Sequence, residues 1–416
     1  MPVSYETGVF VRFLGVNMEY NEAKKILLKN ISVIDTEKVD LDFAYKRVLG
    51  CDLISNKNVP NFNRSPLDGY CFNYEDTIGV TTNNPKIFDV IEEVPCGKVA
   101  KSKLGKNQTI KVLTGAKLPE GANCVIKFED IELVDGKLKL SRELKLNENV
   151  ILIGEDVKEG IVLSKKGTIV DMGVVGIAAS LGLKEISVYK KITVGFISTG
   201  EELLEVDEKL VDGKIYNSNR YIFRSIFENF PINYKYYGIA VDDVEALKSI
   251  YKKASDECDI VISTGGVSVG DYDYTYRTLE ELGFNILVNR INMKPGMACC
   301  FANKGKKLIL GLSGNPMSSV TTFYAVCLPA IKKMMGYCHY ENEYFKVKLK
   351  NSFNKTVKGV RFLRVKVDIE DGAAVATLNL DQGNIVIKSL IGCNGMIRVE
   401  NCKEVKEGMI FDCMYL

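Results

Sequence analysis

The residues best suited to chemistry lie at 259–273, with the sequence Asp-Ile-Val-Ile-Ser-Thr-Gly-Gly-Val-Ser-Val-Gly-Asp-Tyr-Asp. The short apolar run before the turn is typical of a buried strand. Thr264, Gly265 and Gly266 follow, and such turns let backbone N–H groups approach an anion. Asp271 and Asp273 add carboxylates that suit a divalent cation. The stretch therefore predicts a site for a phosphate-bearing ligand and a metal ion; the alternative is a strand-to-helix turn with two solvated acids.

The composition limits which chemistry can operate. The one histidine, His339, largely excludes His-based acid–base catalysis, Ser-His-Asp hydrolysis and histidine-rich metal sites. Twelve cysteines without a C-x-x-C pair indicate reduced thiols and a cytoplasmic protein. The net charge of +2 predicts no nucleic-acid partner, and the absence of a long apolar run predicts no membrane span.

Strands and helices alternate from about residue 186 to 335, and these elements must position the turn at 264–266. This alternation predicts a doubly wound, parallel α/β sheet. Ile-Ser-Thr-Gly occurs at 197–200 and again at 262–265, and a third apolar strand ends at 313–316. Because parallel strands of such a sheet end at one edge, we expect the three polar turns to lie together.

Outside this region the pattern predicts smaller units. Helical stretches at 20–49, including a short helix at 41–49, and at 170–182 flank strand-like runs between 71 and 150. Within these runs, 134–137 carries a strong hairpin signal. We therefore predict a small β unit inserted into a helical unit.

After residue 339 the alternation becomes that of half-buried strands. Leu363, Val365 and Val367 alternate with Arg364 and Lys366, which predicts polar side chains facing solvent. We expect a separate β unit there and identify no catalytic constellation in it.

The turn-rich segment 58–70 contains Ser65, Asp68 and Tyr70. It is long for a connection, which favours function, although Asp68-Gly69 is equally explained by a hairpin turn. The turn Lys294-Pro295-Gly296 offers a cation that can bind phosphate, and a simple turn is again the alternative. None of the glycine turns is a Walker A or dinucleotide motif.

Eight motifs occur in order along the chain, at 65–70, 114–122, 154–157, 198–203, 217–219, 264–273, 294–296 and 314–316. This order resembles the MoeA/gephyrin family, the molybdopterin molybdenumtransferases or molybdenum insertases. The motif at 264–273 is highly specific, and the resemblance extends from Met18 to nearly the C-terminus. It implies an elongated homodimer of four-domain subunits whose sites are shared between the subunits.

The resemblance also implies a reaction. Molybdate is inserted into adenylylated molybdopterin, the product of an upstream molybdopterin adenylyltransferase, and AMP is released with the aid of Mg²⁺. The residues implied for the reaction are Asp68, Asp156, Glu202 and Lys294. Those implied for ligand binding are Ser65, Thr114, Gly115, Thr199, Gly200, Ser218, Asn219, Thr264, Gly265, Gly266, Ser268, Gly270, Pro295, Gly296, Gly314, Asn315 and Pro316. Asp243 and Asp273 match family acids and, with Asp271, are predicted to bind the metal ion.

The predicted fold is therefore multidomain, α/β plus β. A discontinuous helical domain would span 18–56 and 151–187, with a β domain inserted at 57–150. The α/β domain, which resembles the molybdopterin-binding fold, would span 188–338, and the C-terminal β domain 339–416.

The chain departs from the family pattern at several positions. Met297 and Ala298 stand where Lys-Pro is common, Ser313 where proline is usual, and Asn123 where aspartate is frequent. Loss of the second lysine removes a cation from the anion site, so molybdate, tungstate and a weakened site are alternatives. Two other functions remain open: a molybdopterin adenylyltransferase, and a non-catalytic scaffold or tungstate-using paralogue.

Overall fold

The computed structural model describes residues 17–241, 243–267, 274–379 and 381–416. Its first elements are β1 (Met18–Glu19), α1 (Tyr20–Lys29), β2 (Thr36–Asp40) and β3 (Leu53–Ile54). Helix α1 buries Tyr20, Ala23 and Leu27 in the core that also contains the α/β strands. The N-terminal helix therefore packs on the α/β sheet.

The prediction of a helix at 41–49 is wrong. Only one 3₁₀ turn forms, at Leu41–Phe43. Lys46 has a φ of +64°, outside the helical region, and Leu49 pairs with Val188 in an isolated β-bridge. Strand pairing in the folded chain outweighs the weak local helical preference.

A six-stranded sheet follows, in the order β7-β4-β6-β5-β9-β8. Its strands are β4 (Gly69–Phe72), β5 (Lys86–Val94), β6 (Gln108–Val112), β7 (Cys124–Lys127), β8 (Glu132–Val134) and β9 (Lys137–Leu140). The hairpin predicted at 134–137 is confirmed by the pairing of β8 with β9. Asp68-Gly69 is no hairpin turn, since Gly69 begins β4. Two apolar clusters drawn from residues 67–150 give this inserted unit a core of its own.

The elements that follow the inserted unit pair with strands of the first segment of the chain. The elements are β10 (Val162–Ser164), α2 (Met172–Ser180) and β11 (Glu185–Tyr189). Strand β10 pairs with β3, and β11 pairs with β2, both antiparallel. The expected helical unit is thus one helix, α2, with two short ladders. Its predicted boundaries, like those of the other units, stay predictions.

The α/β unit contains the second six-stranded sheet, in the order β15-β12-β16-β20-β19-β17. Its elements are β12 (Ile192–Thr199), β13 (Leu203–Leu204), β14 (Ile215–Tyr216), α3 (Ser218–Phe227), β15 (Ile232–Ala240), α4 (Val244–Glu257), β16 (Ile260–Thr264), α5 (Tyr274–Glu281), β17 (Asn285–Asn289), β18 (Ile291–Lys294), β19 (Cys299–Lys304), β20 (Lys307–Leu312), α6 (Pro316–Thr322), a π-helical turn (Phe323–Cys327) and α7 (Leu328–Met334).

The predicted doubly wound parallel arrangement holds for β15, β12, β16 and β20. Strand β19 is the reversed strand, because it pairs antiparallel with both of its neighbours, β20 and β17. Helices α1, α3 and α6 contribute to the core on one face, and α4 and α5 to the core on the other. No described helix is long and apolar enough to cross a membrane.

The C-terminal unit contributes β21 (Phe345–Leu349), β22 (Val360–Glu370), β23 (Ala373–Leu378), β24 (Gly395–Glu400) and β25 (Ile410–Tyr415). These strands form a seven-stranded sheet with β1 and β18. Strand β18 pairs in parallel with β22, so Lys294 on β18 lies opposite Arg361 on β22. The α/β unit and the C-terminal unit are therefore joined by a shared sheet at this point.

Candidate functional site

Three polar turns follow β12, β16 and β20 at one edge of the α/β sheet, as predicted. Strand β16 pairs in parallel with both neighbours. The Thr199 hydroxyl donates to the carbonyl of Thr264 at 3.3 Å, and the N–H of Gly265 donates to the carbonyl of Leu312 at 2.9 Å. A Cβ added to Gly314 would lie 3.5 Å from the Cα of Gly265. The three turns therefore form one continuous backbone surface.

Two buried polar atoms at these turns have no hydrogen-bond partner among the described residues. They are Oδ1 of Asn219 and Oγ1 of Thr275. The amide nitrogen of Asn219 donates to the carbonyl of Gly314 at 2.8 Å, which places its side chain at the third turn. The Thr275 hydroxyl lies against Gly266, where an added Cβ would come within 2.8 Å of it. Because buried polar atoms are normally paired, a water molecule or a polar ligand would satisfy these two.

Glu202 lies over the first turn. A Cβ on Gly200 would come within 2.7 Å of its Oε1, and φ of Gly200 is +137°. The Glu202 side chain is exposed. An exposed carboxylate beside a glycine turn suits contact with a cation that accompanies an anionic ligand.

Behind the first turn lies a hydrogen-bonded network that the sequence analysis missed. The Asn217 amide donates to the hydroxyl of Ser198 at 2.9 Å and to that of Tyr236 at 3.0 Å. Tyr236 donates to Glu205 at 2.5 Å, and Glu205 forms an ion pair with Arg220. Burial raises the pKa of Tyr236, so it remains a proton donor in this network. The network fixes the first turn against α3, and only the cap residue Asn217 was identifiable from sequence.

Ser65, Asp68, Thr114 and Gly115 come together in the inserted unit. Oδ1 of Asp68 accepts hydrogen bonds from the N–H and the hydroxyl of Thr114, at 2.6 and 2.8 Å. The N–H of Gly115 donates to the carbonyl of Ser65 at 2.8 Å. The two Thr114 bonds, the backbone N–H above all, hold the pKa of Asp68 below its ordinary value. The loop thus presents an exposed, ionised carboxylate.

We expect Thr114→Val to raise the pKa of Asp68, because it removes the hydroxyl that stabilises the carboxylate and keeps the N–H. The hydrogen bonds stabilise the folded state above the ordinary pKa of aspartate, and this stabilisation is lost as the pH falls through the lowered pKa. Titration of the Asp68 carboxyl carbon by NMR measures the change, with Thr114→Ser as the matched control. An unchanged titration midpoint in Thr114→Val would contradict the assignment.

The other predicted acids do not gather into a metal site among the described residues, where no group of three or more His, Cys, Asp or Glu side chains is placed to hold a metal ion. Asp156 is exposed in a turn in which its N–H donates to the carbonyl of Val59. Asp243 caps α4, since its Oδ1 accepts from the N–H of Ala246 at 2.9 Å. The predictions for Ser268, Gly270, Asp271 and Asp273 lie outside the described residues.

Beside the third turn lies a cavity of about 680 Å³. The predicted residues that line it are Lys294, Pro295, Gly296 and Asn315. Met297, Ala298 and Ser313, three of the departures from the family pattern, line it too. The predicted residues Ser218 and Pro316 are the first residues of α3 and α6. The Lys-Pro-Gly segment therefore brings an exposed lysine into the cavity beside the third turn.

The opposite wall of the cavity comes from the C-terminal unit, in which the sequence indicated no catalytic constellation. Its polar wall residues are Ser352, Asn354, Lys355, Arg361, Asn379, Asp381, Gln382 and Asn384. They meet Lys294 because β18, which carries that lysine, pairs with β22 of the C-terminal sheet. The amide-rich run at 379–384 was the one local signal for this wall.

Arg364, predicted to face solvent, is only 1% exposed. Its Nε donates to the Ser389 hydroxyl at 2.8 Å, and its Nη2 donates to the carbonyls of Asp381 and Gly383 at 3.3 and 3.0 Å. Nη1 has no partner among the described residues, and burial lowers the pKa of the guanidinium. The alternation rule failed here because the segment from Asp381 to Ser389 covers this face of β22. Arg364 holds that segment, and with it part of the cavity wall.

Two protein-family models match the chain. One, described as the MoeA N-terminal region (domain I and II), matches residues 18–182. The other, described as a probable molybdopterin binding domain, matches residues 195–333. Together they include the inserted unit and the three glycine turns.

Similar proteins carry corresponding names. A molybdopterin molybdenumtransferase of Staphylococcus epidermidis is 33% identical over 393 residues, 94% of each chain. One of Staphylococcus aureus is 32% identical over 367 residues, 88% of each chain. A solved molybdopterin biosynthesis MoeA protein of Pyrococcus horikoshii OT3 is 32% identical, with a TM-score of 0.82 over 96% of this chain and 100% of that one.

Proposed function

We propose that this chain, which belongs to the family of molybdopterin molybdenumtransferases, inserts molybdate into adenylylated molybdopterin and releases AMP. The chain is a transferase of molybdenum cofactor biosynthesis. The adenylylated substrate and the release of AMP are the part that we add. The observation that carries them is that three glycine turns lie together at one sheet edge and that a cavity with cationic side chains adjoins the third of them.

In this proposal the glycine turns hold the pyrophosphate of the substrate. Their backbone N–H groups are suited to phosphate oxygens. The unpaired polar atoms of Asn219 and Thr275 support a polar ligand at the same place. Lys294, in the adjoining cavity, offsets the negative charge of molybdate next to the bound pterin.

Magnesium would suit two exposed carboxylates, one in the inserted unit and one at the first turn of the α/β sheet. Mg²⁺ is commonly bound by one or two carboxylates together with substrate phosphates and water. The exposed carboxylates of Asp68 and Glu202 each lie beside a turn that we assign to ligand binding. When bound, Mg²⁺ would neutralise charge on the phosphates as AMP leaves. Asp243, Asp271 and Asp273 remain predicted ligands.

We further propose a homodimer in which the inserted unit of one subunit completes the site of the other. Two observations support this arrangement. Asp68 takes its hydrogen bonds from Thr114, within the inserted unit, and that unit has its own apolar core. A molybdopterin adenylyltransferase would supply the substrate. We place the reaction in the cytoplasm, consistent with twelve free cysteines.

The experiment for this function is cofactor formation. The purified protein, adenylylated molybdopterin, molybdate and Mg²⁺ are combined, and active cofactor is measured by reconstitution of a molybdenum enzyme that lacks it. We expect activity that depends on protein, molybdate and Mg²⁺. Equal cofactor formation without the protein would contradict the proposal.

A further inference from the structure

We propose that Arg361 is the second cation of the cavity beside the third turn and selects a doubly charged tetrahedral oxyanion there. The inference rests on the proposed function and adds a residue that the function did not assign. Two ligands share this chemistry: free molybdate, and the phosphate of the adenylylated substrate. The experiment below distinguishes them.

The first argument is the position of Arg361. In the parallel pair of β18 and β22 it lies directly opposite Lys294, and both residues line the same cavity. Like charges at neighbouring positions on adjacent strands repel each other. An anion in the cavity would attract both Lys294 and Arg361 and so offset the repulsion between them.

The second argument is the lack of a counter-charge. Burial alone lowers the pKa of Arg361, and its Nε is buried with no partner among the described residues. Lys355 adds a third cation to the lining, whereas Asp381 is its one acid among the described residues. Asp381 already accepts a hydrogen bond from the N–H of Gly383 at 3.1 Å. The cavity wall therefore has an excess of positive charge.

The third argument is the orientation of the guanidinium. It lies over the ring of Phe353, 5.0 Å from the ring centroid, and Phe353 lines the cavity as well. This cation–π contact holds the guanidinium at the cavity wall, where its N–H fork can bind two oxygens of one anion. Lys294 alone would suit a single negative charge, and the adjacent pair suits two.

The test measures binding to the intact protein by calorimetry, with molybdate and AMP as separate probes. We expect Arg361→Gln to weaken molybdate binding about tenfold or more and to leave AMP binding unchanged. Arg361→Lys should restore part of the affinity, because it returns the charge without the fork. Lys348→Gln, at an exposed lysine of the same unit, is the control and should bind as the unmodified protein does.

Weaker binding of AMP instead of molybdate would support the second cation and assign the oxyanion to the substrate phosphate. Unchanged binding of both probes in a variant with an unchanged melting temperature would overturn the inference, as would the failure of the unmodified protein to bind either. If Arg361→Gln does not fold, a loss of affinity in Arg361→Lys provides the same test. Because no turnover is involved, a failure to form cofactor would count against the proposed function and leave this comparison valid.

Discussion

Asp68→Asn should abolish turnover, with a fall in AMP release of about 10²-fold or more. The asparagine oxygen can still accept both hydrogen bonds from Thr114, so the substitution removes charge and keeps the loop. In the unmodified protein the pKa of Asp68 is lowered, so this carboxylate is ionised at neutral pH. The nucleotide-bearing ligand should still bind, because the glycine turns are untouched. Asp135→Asn, at the exposed turn between β8 and β9, is the matched control and should turn over normally.

Mixing subunits shows whether Asp68 acts across the dimer. Asp68→Asn protein is combined with Lys294→Gln protein, each inactive alone, and the subunits are allowed to exchange. After random exchange about half of the dimers are mixed, and a shared site leaves one intact site in each of them, because both lesions fall in the other. Activity should therefore return. No recovery, with exchange verified independently, would refute the shared site, because a site within one chain always retains one lesion.

Gly265→Ala should destabilise the protein and prevent ligand binding. Gly265 has a φ of +96°, and an added Cβ would lie 2.5 Å from Oγ1 of Thr199. Positive φ and this clash together should lower the free energy of unfolding by about 2–4 kcal/mol. Urea unfolding and calorimetric titration with AMP measure the two effects.

The chain offers a matched control for this substitution. Gly238 has a φ of +98°, and an added Cβ would meet no described atom within 4 Å. Gly238→Ala should therefore show the conformational cost alone, about 1–2 kcal/mol, with ligand binding retained. Equal destabilisation and equal ligand binding in the two variants would mean that the contact of Gly265 with Thr199 is unimportant.

The edge of the α/β sheet was predictable because its signals are local. A short apolar run before Thr264 and Gly265 predicts a buried strand that ends in a turn, and the same holds before Thr199 and Gly314. Asn217 was recognisable as a helix cap for the same reason, and its side chain accepts from the N–H of Arg220. Parallel pairing then brings the turns together without further information.

Apart from the amide-rich run at 379–384, the cavity wall was not predictable, because it depends on contacts between distant segments. Arg361 becomes part of the site only because β18 joins the C-terminal sheet opposite it. The alternating pattern around Arg364 predicted an exposed side chain, and a later segment covers it. The helix predicted at 41–49 failed likewise, since Leu49 pairs with Val188 far along the chain. Alternation reports which face of a strand is polar and carries no information on what later covers that face.

The central claim is tested most directly by AMP release from adenylylated molybdopterin, measured with and without molybdate in the presence of Mg²⁺. The account predicts that AMP appears when molybdate is added, in step with the cofactor formed. An adenylyltransferase would instead consume ATP and molybdopterin to make the adenylylated compound, and a scaffold would do neither. Formation of that compound from ATP, or no AMP release after molybdate is added, would contradict the account.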